Sequence, residues 1–342
     1  MSDGNHGAGR RLFAEALAGR WPHLAGRVAA PIRIAVHGRP GVGVATTRAA
    51  LASAGLEITV ADGEAEVAIR VVAEVAKFED LTNSYDLAVL NKADLTGFGP
   101  GGPLVAAQRR CTRVAGLLGA PTEPMVALLA VAAQDSEVLD ECLIDALRVL
   151  VDEPADLRSP DHFVTCAHRL SREVRQRLVE SLDLFGIAHS VVTLRRDRRA
   201  GAAEVRAELR RVSRLDRVVA RVMAAVVDAG YRRVLAVVDE LQVLAVTDAQ
   251  IAAFLAAEDT VLARMAAAVD VIEGAGLRVD PADDAAAHLR RAVQWRQFAA
   301  GPLGALHRDC AADIARGSLR LLASAMSSTA TSSSATFSGG AP

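Results

Sequence analysis

Between residues 31 and 151 the apolar positions gather into short, nearly unbroken runs, at residues 32–36, 56–60, 67–72, 87–90 and 125–131. A run without alternating polar positions is a strand covered on both faces, so these five predict the buried strands of a parallel sheet. Stretches with three- and four-residue apolar spacing lie between them. They predict helices over residues 44–54, stopping at Gly55, over 104–118 and over 137–151, with a short helix within 77–85. Alternating strand and helix predicts a parallel, doubly wound α/β domain.

Ahead of the sheet, Leu12, Phe13, Leu17 and Trp21 recur at helical spacing and predict one helical leader in residues 1–30. Asp152-Glu153-Pro154 interrupts the alternation, and beyond it helical spacing dominates, over 160–184, 202–229, 231–246, 248–275 and 283–324. Residues 186–194 fit either a strand or a helix start. The expected division is therefore a leader (1–30), an α/β domain (31–153), a mainly α-helical domain (154–326) and a disordered Ser/Thr/Ala/Gly-rich tail (327–342). Ile251, Phe254, Leu255, Val261, Leu262 and Met265 form an apolar stripe suited to an internal core or an oligomer seam.

Composition narrows the function classes. The chain has 342 residues, 51% of them hydrophobic and only 4% aromatic, enough for real cores built on small side chains. Its net charge of −2 provides no field for nucleic acid. Cys111, Cys142, Cys166 and Cys310 are far apart and match no ligand spacing, so thiols without zinc or disulfides are expected. No apolar run is long enough to span a bilayer, and the expected location is cytoplasmic.

The chemistry lies in two loops that follow strands. After the first strand comes Gly38-Arg39-Pro40-Gly41-Val42-Gly43-Val44-Ala45-Thr46. A phosphate-binding loop of pattern GxxxxGK[ST] cradles phosphate with main-chain N–H groups and a helix N-terminus, while its Lys neutralises the β- and γ-oxygens and its Ser/Thr ligates magnesium. Gly38 and Gly43 have the required spacing, but Val44 and Ala45 replace the Lys and the hydroxyl. Thr46 is one position late. Backbone binding of phosphate through Gly38, Gly41, Gly43 and Thr46 is expected, with no firm place for magnesium. The second loop, Asn91-Lys92-Ala93-Asp94, follows the fourth run.

On these two loops and their strand order, residues 31–151 resemble the GTP-binding domain of translation-factor-related P-loop GTPases, in a shortened and degenerate form. The helical remainder is similar in general organisation to that of bacterial dynamin-like GTPases. The resemblance implies a P-loop NTPase-like sheet followed by a helical domain, and GTP or GDP as ligand. Asp94 would accept from the guanine edge, Lys92 would cover the base and Asn91 would tie the loops together. Ala132, after the fifth strand, would contact guanine through its backbone. No Asp-x-x-Gly lies between Thr46 and Asn91, so no catalytic residue is assigned.

The expected function is a pseudo-GTPase or weak guanine-nucleotide-binding regulator, acting with an intact GTPase partner or as a homo-oligomer through its helical domain. Alternatives are an active dynamin-like GTP hydrolase, peripheral to the inner face of the plasma membrane, and a structural interaction module without nucleotide.

Overall fold

A computed structural model describes residues 7–58, 65–81, 83–97 and 99–335, with side chains as far as Ser327. The chain opens with α1 (Ala8–Ala18) and α2 (Pro22–Ala29), followed by β1 (Ile34–Gly38), α3 (Val44–Ser53), β2 (Val67–Ala73) and β3 (Leu87–Asn91). Next come α4 (Pro103–Leu118), β4 (Thr122–Pro124), α5 (Ala127–Gln134), α6 (Glu141–Asp152), α7 (Pro160–Thr165), α8 (Arg172–Arg196) and α9 (Ala202–Ser213). The remainder is α10 (Leu215–Ala245), α11 (Ala249–Ala256), α12 (Glu258–Gly274), α13 (Ala285–Ala299) and α14 (Ala305–Ala335).

The four strands form one all-parallel sheet in the order β1-β2-β3-β4. Ile34 pairs with Val67, Ile69 with Leu87, and Ala88 with Thr122. The run expected as a strand over 56–60 amounts to one parallel bridge between Ile58 and Ile34, on the edge of β1 away from β2; residues 59 and 60 lie outside the described residues. The run at 125–131 is not a strand. β4 ends at Pro124, and Ala127-Leu128-Leu129-Ala130, all strong helix formers, begin α5 instead.

Three further expectations change. The leader is two helices, because the turn at Arg20-Trp21 delivers Pro22 to the first position of α2, where its missing N–H costs nothing. Residues 186–194 are helical, within α8. α14 continues to Ala335, so residues 327–335 are helical and not disordered, while 336–342 lie outside the described residues.

Cα packing separates two compact units: Arg33–Val222, and residues up to Ile32 together with those from Met223 onward. The break at Pro154 is therefore only a loop. α6 to α9 share a core with α5 and the sheet, where Leu129, Leu143, Phe163, Leu178, Ile187 and Leu209 are buried together. The sheet unit thus includes helices that the sequence assigned to a separate domain.

In the other unit α1 packs so closely on α12 that a Cβ on Gly9 would lie 2.0 Å from the Ala267 nitrogen. Ile251 and Ala267 are buried there with Phe13, Leu17 and Tyr231, Phe254, Leu255 and Met265 pack against them, and Val261 is buried as well. Most of the apolar stripe is thus internal core. Asp313, 3% exposed, accepts from the Tyr231 hydroxyl at 2.9 Å and from Arg264 at 2.7 and 3.1 Å, so a buried charge has its full set of donors.

Candidate functional site

The C-terminal ends of β1 and β3 bring the two loops together, and Asn91 joins them. The residue is 4% exposed. Nδ2 donates to the Val42 carbonyl of the glycine loop at 2.9 Å, while Oδ1 accepts from the Ala127 N–H after β4 at 3.0 Å. One amide thus fixes three chain segments. The glycines meet a matching demand. Gly41 and Gly43 have φ of 84° and 90°, and a Cβ on Gly43 would lie 2.3 Å from Asn91 Nδ2. Gly38 has no room either, since a Cβ there would lie 2.6 Å from the Val44 side chain.

Between the loops is a cavity of about 240 Å³, lined by Gly43, Thr46, Asn91, Lys92, Asp94, Leu95, Val126, Ala127, Leu128 and Asp183. Lys92 is left-handed, with φ 56°, and turns the chain into the short 3-10 turn Ala93–Leu95. The Ala93 N–H bonds the Met125 carbonyl at 3.1 Å, and Thr96 Oγ1 bonds the Ala93 carbonyl at 2.6 Å, so the loop is braced at both ends. Burial, and after it the charge of Asp183, push the Asp94 carboxyl above its ordinary value; its own N–H and the Lys92 ammonium act against that rise.

Most of the expected residues meet here. Gly43, Thr46, Asn91, Lys92 and Asp94 line one cavity, and Gly38 and Gly41 shape the loop beside it. Ala132 is a correction. It is fully buried inside α5, and Val126, Ala127 and Leu128 occupy the post-strand position it was expected to hold. The cause is the misread strand: the loop after β4 comes about five residues earlier than an apolar run through Val131 implies.

The glycine loop has a feature that the sequence did not reveal. Arg39, inside the glycine loop, donates from Nε to both oxygens of Asp80 at 3.2 and 3.1 Å. Asp80 is fully buried and also receives Arg70 at 2.6 and 3.0 Å and the Lys77 N–H at 2.8 Å. Burial works to raise this carboxyl, but the Lys77 N–H and the two guanidiniums outweigh it and hold the group below its ordinary value. The loop's own arginine is thereby bound to a protein carboxylate.

Val44 and Ala45 stand at the start of α3 with no cation or hydroxyl between them. Thr47 is buried and its hydroxyl has no hydrogen-bond partner among the described residues, and Arg48 bonds the Val36 carbonyl at 3.2 Å. Among the described residues no group of three or more His, Cys, Asp or Glu is placed to hold a metal ion, and no helix is long and apolar enough to cross a membrane.

Asp183 was also unforeseen. It breaks α8 with φ 51° and ψ 175°, a conformation that nothing in the local sequence Leu182-Asp183-Leu184 announces. Comparison of the chain with protein-family models, with curated proteins and with solved structures found no match.

Proposed function

We propose that this chain is a guanine-nucleotide-binding protein of degenerate P-loop type, which holds the base through the cavity at Asn91, Lys92 and Asp94 and hydrolyses GTP little or not at all. The observation that carries this reading is the double hydrogen bond of Asn91. It braces the base-side loop against the glycine loop, so that Asp94 and a main-chain phosphate cradle belong to one site.

Both loops open at the same edge of the parallel sheet. The glycine-loop strand β1 and the strand β3 that ends in Asn91 are separated by β2 alone, and β4 lies beyond β3. The lack of hydrolysis follows from chemistry: Val44 and Ala45 offer the β- and γ-phosphates neither charge nor a magnesium ligand, and Arg39 is engaged by Asp80.

A regulatory role through a partner GTPase fits the surface next to the loop. Val75, Phe78 and Leu81 are exposed on the segment that Asp80 anchors, with Phe78 81% exposed. The test is calorimetry with GDP and GTP, with and without magnesium, on the wild type and on Asp94→Ala. Micromolar binding that Asp94→Ala abolishes supports the proposal, and no heat at millimolar nucleotide overturns it. That second result would favour the structural-module reading, in which the doubly hydrogen-bonded Asn91 amide is only a loop brace.

A further inference from the structure

We propose that Asp183 is a second reader of the base, accepting the N–H of the guanine 2-amino group that Asp94 leaves over, and that it sets a preference for guanine over hypoxanthine. The inference rests on the guanine-nucleotide reading above and adds a specificity-determining residue to that site.

Position is the first argument. Asp183 comes from α8, an element remote in sequence from both loops, and lines the same cavity as Asn91, Lys92 and Asp94. A non-glycine residue at φ 51° and ψ 175° is strained, and such strain persists only where the surroundings over-determine it. Packing on both sides of the break does so here. Leu178 and Leu182 before it and Ile187 after it are fully buried, and a Cβ on Gly186 would lie 2.4 Å from the Leu129 side chain of α5. The two arms of α8 are seated, and the residue between them is turned toward the cavity.

The hydrogen bonds of Asp183 leave one of its oxygens open. Oδ1 of Asp183 accepts the N–H of Leu184 at 2.5 Å, and Oδ2 has no hydrogen-bond partner among the described residues. Asp94 lines the same pocket as another carboxylate. Two acceptors of like charge around one cavity favour a planar ligand rich in N–H donors and disfavour one that presents carbonyl or phosphate oxygens there. The guanine edge carries three N–H bonds, one on the ring and two on the exocyclic amine. A single carboxylate takes two of them, and Asp183 is the available acceptor for the third. Hypoxanthine has the ring N–H and no amine, so it gains nothing from Asp183.

The test uses the full chain and four titrations by calorimetry, GDP and inosine diphosphate against wild type and Asp183→Gly. Glycine suits a positive φ, so this variant removes the carboxylate while relieving the backbone, and a thermal melt confirms folding. A hydrogen bond to a charged acceptor is worth about tenfold in affinity, so the GDP-over-IDP preference should fall about tenfold through weaker GDP binding alone. Asp183→Asn, which keeps an acceptor oxygen, should fall between. If GDP still binds and Asp94→Ala still abolishes it, but Asp183→Gly weakens both nucleotides equally, tightens both or changes neither, the role of Asp183 is overturned and the nucleotide reading stands. If the wild type binds neither nucleotide at millimolar concentration, both fall.

Discussion

The two sides of this cavity, the Asn91–Asp94 loop proposed to hold the base and the glycine loop proposed to hold phosphate, differ in what they retain. The Asn91–Asp94 loop is braced by Asn91 and presents Lys92 and Asp94 to the cavity. The glycine loop keeps its backbone, with Gly41 and Gly43 at positive φ, yet Val44 and Ala45 carry no polar group, Arg39 is tied to Asp80, and of its polar side chains only Thr46 lines the cavity. Backbone shape and side-chain function can therefore separate within one loop. Here the loop's shape is held by other residues, Asn91 on one side and Asp80 on the other, and needs no ligand to hold it.

The sharpest way to break that arrangement is to remove the Asp80 carboxylate. Asp80→Ala leaves Arg70 and Arg39 without their shared anion, Arg70 being largely buried, and a broken buried ion pair costs about 3–5 kcal/mol. Urea denaturation should show a loss of that size. The pH dependence has a definite sign. The folded carboxyl is held below its ordinary value, so its contribution is fully present above the unfolded carboxylate pKa and is lost as pH falls through the folded one. Wild type should thus show an acid limb that Asp80→Asn flattens; an unchanged limb would mean other carboxylates control it.

Next in size is Asn91→Ala. It orphans the buried Val42 carbonyl and the Ala127 N–H together, and with about 1–3 kcal/mol for each unsatisfied group, a loss of about 3 kcal/mol is expected in the same denaturation experiment. Asp94→Ala, which leaves the brace untouched, should remove nucleotide binding with little change in stability. Should both variants alter binding and stability in equal measure, the brace and the base contact are not separable.

Gly43 and Gly41 make a matched pair at lower cost. Both have positive φ, but only Gly43 faces Asn91, while a Cβ on Gly41 meets open space. Gly41→Ala should cost about 1 kcal/mol in backbone strain, and Gly43→Ala about 2 kcal/mol because Asn91 must also move. Equal midpoint shifts in thermal melts would show that the contact adds nothing.

How much of this was legible beforehand depends on the range over which each feature is determined. β1, β2 and β3 could be read because their burial on both faces produces unbroken apolar runs such as Leu87-Ala88-Val89-Leu90. β4 could not: Thr122-Glu123-Pro124 is short and polar, and its Glu123 is buried beside Arg217 and Arg221. Met125-Val126-Ala127-Leu128-Leu129 then offers a better apolar run that folds as turn and helix. The pairing of Asn91 with the glycine loop was legible through its motif. Asp183 and the Arg39–Asp80 pair were not, because each depends on tertiary packing between residues about 40 to 90 positions apart.

The smallest expected effect tests the comparison most directly, because it restores what the phosphate side lacks. Val44 occupies the first position of α3, half-buried, beside Gly38. A lysine there starts with a disadvantage of a few tenths of a kcal/mol, since a cation at a helix N-terminus opposes the helix dipole. Bound β-phosphate reverses the sign of the local field, and the new charge pair should be worth about 1.4 kcal/mol, or about tenfold in GDP affinity. Val44→Lys should therefore tighten GDP about tenfold, leave guanosine unchanged, and make GDP binding more sensitive to salt. Adding Ala45→Ser should make the gain depend on magnesium. If Val44→Lys leaves GDP binding unchanged while Asp94→Ala still abolishes it, the phosphates lie outside the glycine cradle, and the base-side loop holds the nucleotide alone.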